Sequence, residues 1–310
     1  MEIVKGYIGT YDSNGSKGIY KFLFDVSSNK FLSTDVAYEI HDAKYLSLNK
    51  GILVFPYKNQ EAGIGFIYNN KTFMHAFGES VACYVAQDDT YIYTANYHDG
   101  TLGIFEKRND GVHVKQMIDI QKKGGCHQVI VLEHHILVPC LLLDKLEVYD
   151  KQSLQHVKTC AFPTGSGPRH GIMHPDKKRL FVISELSCEL FLLNEQYDIV
   201  KSWRLLEETE KGAGAAIRMS QDGRFLYMSI RDVNKLYVFD IENEKVIQVI
   251  DCKGDHPRDI ALEPKDRLLF VANRFTNEVV VFKRDVQQGI LQALDASITV
   301  AEAVSIVFEE

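Results

Sequence analysis

The chain lacks most of the patterns that would identify its chemistry directly. It has one tryptophan and seven prolines in 310 residues, and none of its six cysteines (Cys83, Cys126, Cys140, Cys160, Cys188 and Cys252) belongs to a CxxC pair. Zinc-ligand spacing is therefore missing, and the cysteines read as reduced, often buried thiols rather than a disulfide framework. No apolar run approaches the roughly 20 residues that a membrane-crossing helix needs. The opening MEIVKGYIGTYDSNG has no charged-then-apolar secretory pattern, so the expectation is a cytoplasmic protein. Positive charge is scarce: 35 Lys plus Arg stand against 42 Asp plus Glu, a net charge of −7. That balance argues against nucleic acid or an anionic membrane as partners, while leaving room for a local basic pocket. No GxSxG elbow is present, and GAGAA (212–216) opens a strand-like segment rather than the helix a dinucleotide site requires. No cofactor or metal is expected; His170 and His174, four apart, have no evident third ligand.

What the chain does have is a repeat. Short apolar segments ending in small or polar residues recur as VKGYIGTY (4–11), GILVFPY (51–57), TYIYTANY (90–97), HILVPCLL (135–142), RLFVISEL (179–186), RFLYMSIR (224–231) and RLLFVANR (267–274), about 44 residues apart. Each precedes a second alternating segment, for example KLEVYDK (145–151) or KLYVFDI (235–241), with the period of two that marks strands. Turn sequences such as HPDKK, SQDGR and EPKDR lie before several of the first segments. Four strands per repeat of this length predict an all-β, seven-bladed β-propeller of four-stranded antiparallel blades, one domain spanning 1–310. EAVSIVF (302–308) reads as an inner strand without a successor and VKGYIGTY as a second strand without a predecessor. Pairing them closes the ring and removes free edges. Trp203 falls on an outer strand and reads as a packing residue.

In antiparallel blades the inner strand starts where the second strand ends, so those positions converge on one mouth of the central channel. Inner-strand starts carry Cys126-His127-Gln128, Pro168-Arg169-His170 and His256-Pro257-Arg258-Asp259; second-strand ends carry Asn96-Tyr97-His98, Leu143-Asp144, Glu185, Arg231-Asp232 and Asn273-Arg274. Four arginines around one glutamate point to a small anionic substrate held by guanidinium forks. Glu185 should be ionised and placed to orient water or act as a base. His170, Asn96 and Asn273 join the expected binding set. The competing expectation is a noncatalytic scaffold or ligand-sensing propeller, in which salt bridges consume every arginine and the mouth is closed.

GPRHGIMHPDKKRLFVISEL (167–186), SQDGRFLYMSIR (220–231), TANYHDGTLGIF (94–105), GCHQVIVLEHHILVPCLLLDKLEVYD (125–150) and HPRDIALEPKDRLLFVANRFTNEVVVF (256–282) together resemble the lactonase family of seven-bladed propellers, which includes bacterial 6-phosphogluconolactonase and a fungal carboxymuconate lactonising enzyme. The resemblance covers nearly the whole chain. It implies hydrolysis of a sugar lactone, 6-phosphogluconolactone to 6-phosphogluconate, in the pentose phosphate pathway, or a muconate-type lactonising activity. It also implies a catalytic set of His127, Arg169, Glu185 and Arg231, with Arg258 and Arg274 as added anion contacts. Arg169 and Arg231 would then hold the anionic group or the lactone carbonyl, and Glu185 or His127 would take a proton from water. Glu185→Gln is expected to cut turnover with little change in melting temperature. The sequence departs from the family pattern at Ser229-Ile230-Arg231, at Cys140-Leu141-Leu142-Leu143-Asp144, and at Val81-Ala82 and Ala303-Val304. A monomer or weak homodimer is expected.

Overall fold

Apolar residues bury both faces of the second strands, and the computed structural model, which describes residues 2–309, stacks these faces against those of the neighbouring blades: Leu180 and Val182 pack to one side, Phe181 and Ile183 to the other. Seven four-stranded antiparallel sheets form the blades of a propeller. Blade 1 runs outward from Ala303–Phe308 through Ile3–Thr10 and Gly18–Asp25 to Lys30–Glu39. The inner strands of blades 2 to 7 are Ser47–Asn49, Tyr84–Gln87, Ile130–Val131, Pro168–Met173, Ala213–Met219 and Pro257–Leu262. Their second strands are Ile52–Lys58, Tyr91–Asn96, His135–Cys140, Leu180–Ser184, Phe225–Arg231 and Leu268–Asn273. The expected closure is present: Gly6 pairs with Phe308, Ile8 with Ile306 and Gly9 with Ser305.

The hydrophobic core is divided among the blade interfaces. One cluster joins Val4, Phe22 and Phe24 of blade 1 to Phe270, Val279 and Val281 of blade 7, and each of six further clusters draws on two neighbouring blades. No blade could bury its apolar faces alone, which is why closure matters. Trp203 lies on the outer strand Ile199–Arg204, its ring 4.9 Å from that of Phe239. All six cysteines are free thiols.

Two backbone features aim side chains into the channel. The inner strands of blades 1, 5, 6 and 7 each carry a register shift near their start. A bulge turns consecutive side chains toward one face, so Arg169 and His170, and likewise Arg258 and Asp259, both meet channel neighbours. A left-handed residue precedes the strand in five blades: Asp42 (φ 56°), Gly125 (69°), Gly167 (63°), His256 (60°) and Glu302 (56°). At Gly167 a side chain would also strike Leu186, 2.7 Å from the added Cβ. The residues two places further on are Lys44, His127, Arg169, Arg258 and Val304.

The next layer of the channel locks blade to blade. The Gln128 side-chain carbonyl accepts from the Gly171 amide (2.6 Å), Ser305 Oγ from the Leu46 amide (3.0 Å), and Asp259 Oδ2 from the Ile306 amide (3.1 Å). Inner strands have no partner strand toward the axis, so these side chains satisfy amides that would otherwise be unpaired.

Candidate active site

At the mouth where inner strands start, Glu185 follows the second strand of blade 5 and Arg231 ends that of blade 6. Glu185 Oε2 receives both Arg169 Nε and Arg231 Nη2, each at 2.8 Å. The arginine side chains are 2% and 8% exposed and the glutamate 20%. Arg169 Nη1 also donates to the Ala215 carbonyl, bridging blade 5 to blade 6. Oε1 of Glu185 has no protein partner among the described residues, so one carboxylate oxygen is clamped and the other is free. Burial alone would raise the Glu185 pKa, but Arg169, Arg231 and Arg258 outweigh it and hold the carboxyl below its ordinary value. Burial, with Arg258 beside it, pushes Arg169 down to about 9, which leaves it charged at neutral pH.

His127, His170 and His256 at this mouth are neutral at pH 7. Burial first, then the charges of Arg169 and its neighbours, drive His127 and His170 far below 6.5. Burial with Arg231 and Arg258 brings His256 to about 4. The His127 ring stands edge-on to Tyr97 (5.8 Å) and His170 (5.1 Å), with its Nδ1 buried and unpartnered.

Arg258 is bound differently from the other guanidiniums. Its Nη2 donates to the Tyr11 hydroxyl at 3.1 Å, and no carboxylate lies within ion-pair reach among the described residues. Arg274, by contrast, is paired with Glu302 (2.6 Å) and stacks on Tyr11 (4.4 Å to the ring centre). Of the four arginines expected at the rim, Arg169, Arg231 and Arg274 are thus engaged by carboxylates and Arg258 is not. Asn96 and Asn273 lie inside their blades: the first donates to the Thr101 hydroxyl (2.8 Å), the second to the Cys252 carbonyl (3.0 Å). Both are almost fully enclosed and support strand ends rather than presenting groups to the mouth. His174 turns away from His170 and lies 3.1 Å from the Gly223 carbonyl.

Lys44 and Tyr11 join this mouth without having been singled out from the sequence. Lys44 belongs to blade 2, whose inner strand is only Ser47–Asn49, and no Pro-Arg pair marks its start. Asp42-Ala43-Lys44 nevertheless parallels Gly167-Pro168-Arg169 in backbone and spacing, and that spacing is the signal that could have found it.

A cavity of about 730 Å³ opens at the other end of the channel. Tyr45, Tyr84, Gln128 and Arg218 line it, and the two tyrosine rings lie 4.1 Å apart, tilted by 32°. Arg218 pairs with the buried Asp259 at 2.7 Å. Both tyrosines meet His170 edge-on, at 6.2 and 5.4 Å, so this layer stands between the cavity and the Glu185 clamp. Its one guanidinium is neutralised, whereas the opposite mouth keeps uncompensated positive charge.

Comparisons with known proteins agree with the fold. Residues 5–308 match the family described as Lactonase, 7-bladed beta-propeller. The chain is similar to a 6-phosphogluconolactonase of Bacillus subtilis, 29% identical over 342 residues, covering 98% of this chain and 97% of that protein. A crystal structure of a Lactobacillus plantarum protein superposes with TM-score 0.93 and 27% identity over 100% of both chains. A periplasmic gluconolactonase of Pseudomonas aeruginosa has the same fold, with TM-score 0.85 and 21% identity over 99% of each chain. With a ring of seven four-stranded blades and a match running almost from end to end, the chain belongs to the lactonase family of seven-bladed β-propellers.

Proposed function

We propose that this protein hydrolyses a sugar lactone, with 6-phosphogluconolactone as substrate, at the mouth that holds Glu185. The observation that carries this reading is the asymmetric carboxylate: Oε2 is fixed by two guanidiniums, Oε1 has no protein partner among the described residues, and the charge of Arg258, which has no carboxylate of its own, also acts on this carboxyl. Glu185 Oε1 orients a water and accepts its proton as the water oxygen attacks the lactone carbonyl carbon. Arg258 donates to the carbonyl oxygen, where negative charge develops. Collapse of the tetrahedral intermediate breaks the ring C–O bond; the departing oxygen takes the proton back, and the new carboxylic acid ionises. Charge stabilisation of this kind contributes on the order of 10²–10³ in rate, and a positioned base about 10²–10⁴. A carboxylate held below its ordinary pKa is a weak base, which is adequate because lactones are activated esters. In this scheme Arg169 and Arg231 position Glu185 rather than touch the substrate.

The test is turnover of freshly prepared 6-phosphogluconolactone, followed by acid release and set against its spontaneous hydrolysis. Rates well above background that fall at least tenfold in Arg258→Met support the assignment. Rates at background refute it. The pairing of Arg169, Arg231 and Arg274 with carboxylates favours a second reading, a propeller that binds its ligand without transforming it. That reading requires 6-phosphogluconate binding with no accelerated hydrolysis.

A further inference from the structure

We propose that Lys44 and Tyr11, beside Arg258, form a phosphate subsite that sets the preference of this mouth for a phosphorylated over an unphosphorylated lactone. The inference rests on the lactonase reading above for its substrate, and on separate residues for its geometry. Lys44 and Arg258 occupy the same position in blades 2 and 7, two residues after the left-handed Asp42 and His256. Between them blade 1 places Val304 at that position, a short apolar side chain that offers no counter-charge. Tyr11, just past the second strand of blade 1, reaches across the gap. Its ring centre lies 5.8 Å from Lys44 Nζ, and its hydroxyl accepts from Arg258 Nη2 at 3.1 Å.

Two facts make this a site rather than a coincidence of cations. Neither Lys44 nor Arg258 has a carboxylate within ion-pair reach among the described residues, although Arg169, Arg231 and Arg274 at the same mouth all do. Three cations thus meet at Tyr11, Arg274 stacking on its ring as well, and the carboxylate beside them, Glu302, is taken up by Arg274, which leaves Lys44 and Arg258 without an ion-pair partner in a protein of net charge −7. The Tyr11 hydroxyl, meanwhile, accepts from Arg258 and has no acceptor of its own among the described residues, so its proton is free to donate. An ammonium, one edge of a guanidinium and a hydroxyl match the oxygens of a phosphate dianion. Arg258 also helps hold the Glu185 carboxyl below its ordinary pKa, so the subsite and that carboxylate share one mouth.

The experiment compares wild type, Lys44→Met and Lys44→Arg on 6-phosphogluconolactone and on unphosphorylated gluconolactone. Removing one charge-assisted contact should lower the preference for the phosphorylated lactone by about 10- to 100-fold, chiefly through KM. Lys44→Arg should restore most of it. Lys44 is partly exposed, and a circular dichroism melt confirms the fold of each variant. Calorimetric binding of 6-phosphogluconate against gluconate supplies a readout that needs no turnover. If no lactone is hydrolysed, the activity reading fails, yet a Lys44-dependent preference for 6-phosphogluconate still supports the subsite. Equal losses on both compounds, or a wild type without preference between them, overturn it.

Discussion

Replacing Glu185 by Gln tests the clamp directly, and the structure alters what should happen. From sequence alone the variant should lose activity and keep its melting temperature. In the structure, however, Glu185 is, among the described residues, the only carboxylate that pairs with Arg169 and Arg231, two guanidiniums that are almost fully buried. Removing one partner of a buried ion pair costs about 3–5 kcal/mol. Two charge-assisted bonds at about 1.5–3 kcal/mol each give the same range, because the amide oxygen of Gln keeps one of them in weaker form. A domain of this length unfolds with an entropy of about 0.65 kcal/mol/K, so the expected fall in Tm is about 5–8 °C. The pH dependence supplies a control. The folded-state pKa of Glu185 lies below its ordinary 4.5, so its stabilisation is complete above 4.5 and is lost as pH falls through the depressed value. The gap between wild type and Glu185→Gln should therefore be full at pH 7 and shrink below pH 4. Calorimetric melts across that range measure it. A variant melting within a degree of wild type at pH 7, or a gap unchanged at pH 3, would show that the two arginines do not depend on this carboxylate.

Two further outcomes follow from the channel layers. Asp259→Ala leaves Arg218 without its 2.7 Å partner and frees the Ile306 amide of the closing strand, so about 3–5 kcal/mol should be lost. Hydrogen exchange should then speed up in Ala303–Phe308 more than in the other inner strands; uniform protection would argue against a lock at closure. His256 should titrate near pH 4 in an imidazole NMR experiment. Its folded pKa is depressed, so the unfolded chain takes the proton first and this group lowers stability as pH falls from 6.5 toward 4. A midpoint near 6.5 would contradict the buried, cation-flanked setting described for it.

The fold was legible because its signals are local and repeated. RLFVISEL and RLLFVANR alternate with the period of a strand, turn residues separate them, and seven copies average out the irregular ones. Ring closure was legible for the same reason, since EAVSIVF and VKGYIGTY are complementary fragments of one repeat. The charge clamp was partly legible: Arg169, Glu185 and Arg231 each fall at a strand end that topology sends to the same mouth. Which arginine remains free of carboxylates was not, because pairing depends on distances between blades. Glu302 precedes the last strand in the chain yet captures Arg274, a residue of the blade before it.

Side-chain direction was the other hidden quantity. A period of two assigns alternate residues to opposite faces, and a bulge breaks that rule for one step. Asn96 and Asn273 sit at regular strand ends and stay within their blades, whereas Arg169 and Arg258 sit at register shifts and enter the channel with the residue that follows them. The left-handed residue before the strand can be recognised without coordinates where it is Gly or Asp, as at Asp42, Gly125 and Gly167, but not at Glu302. Counting two places from Asp42, Gly125, Gly167, His256 and Glu302 selects Lys44, His127, Arg169, Arg258 and Val304. The first four are basic or imidazole side chains converging on one opening, and the fifth is the gap that Tyr11 covers. A chain with an acidic surplus overall thus brings two cations without carboxylate partners, Lys44 and Arg258, to one end of the ring, through a backbone device repeated in five blades.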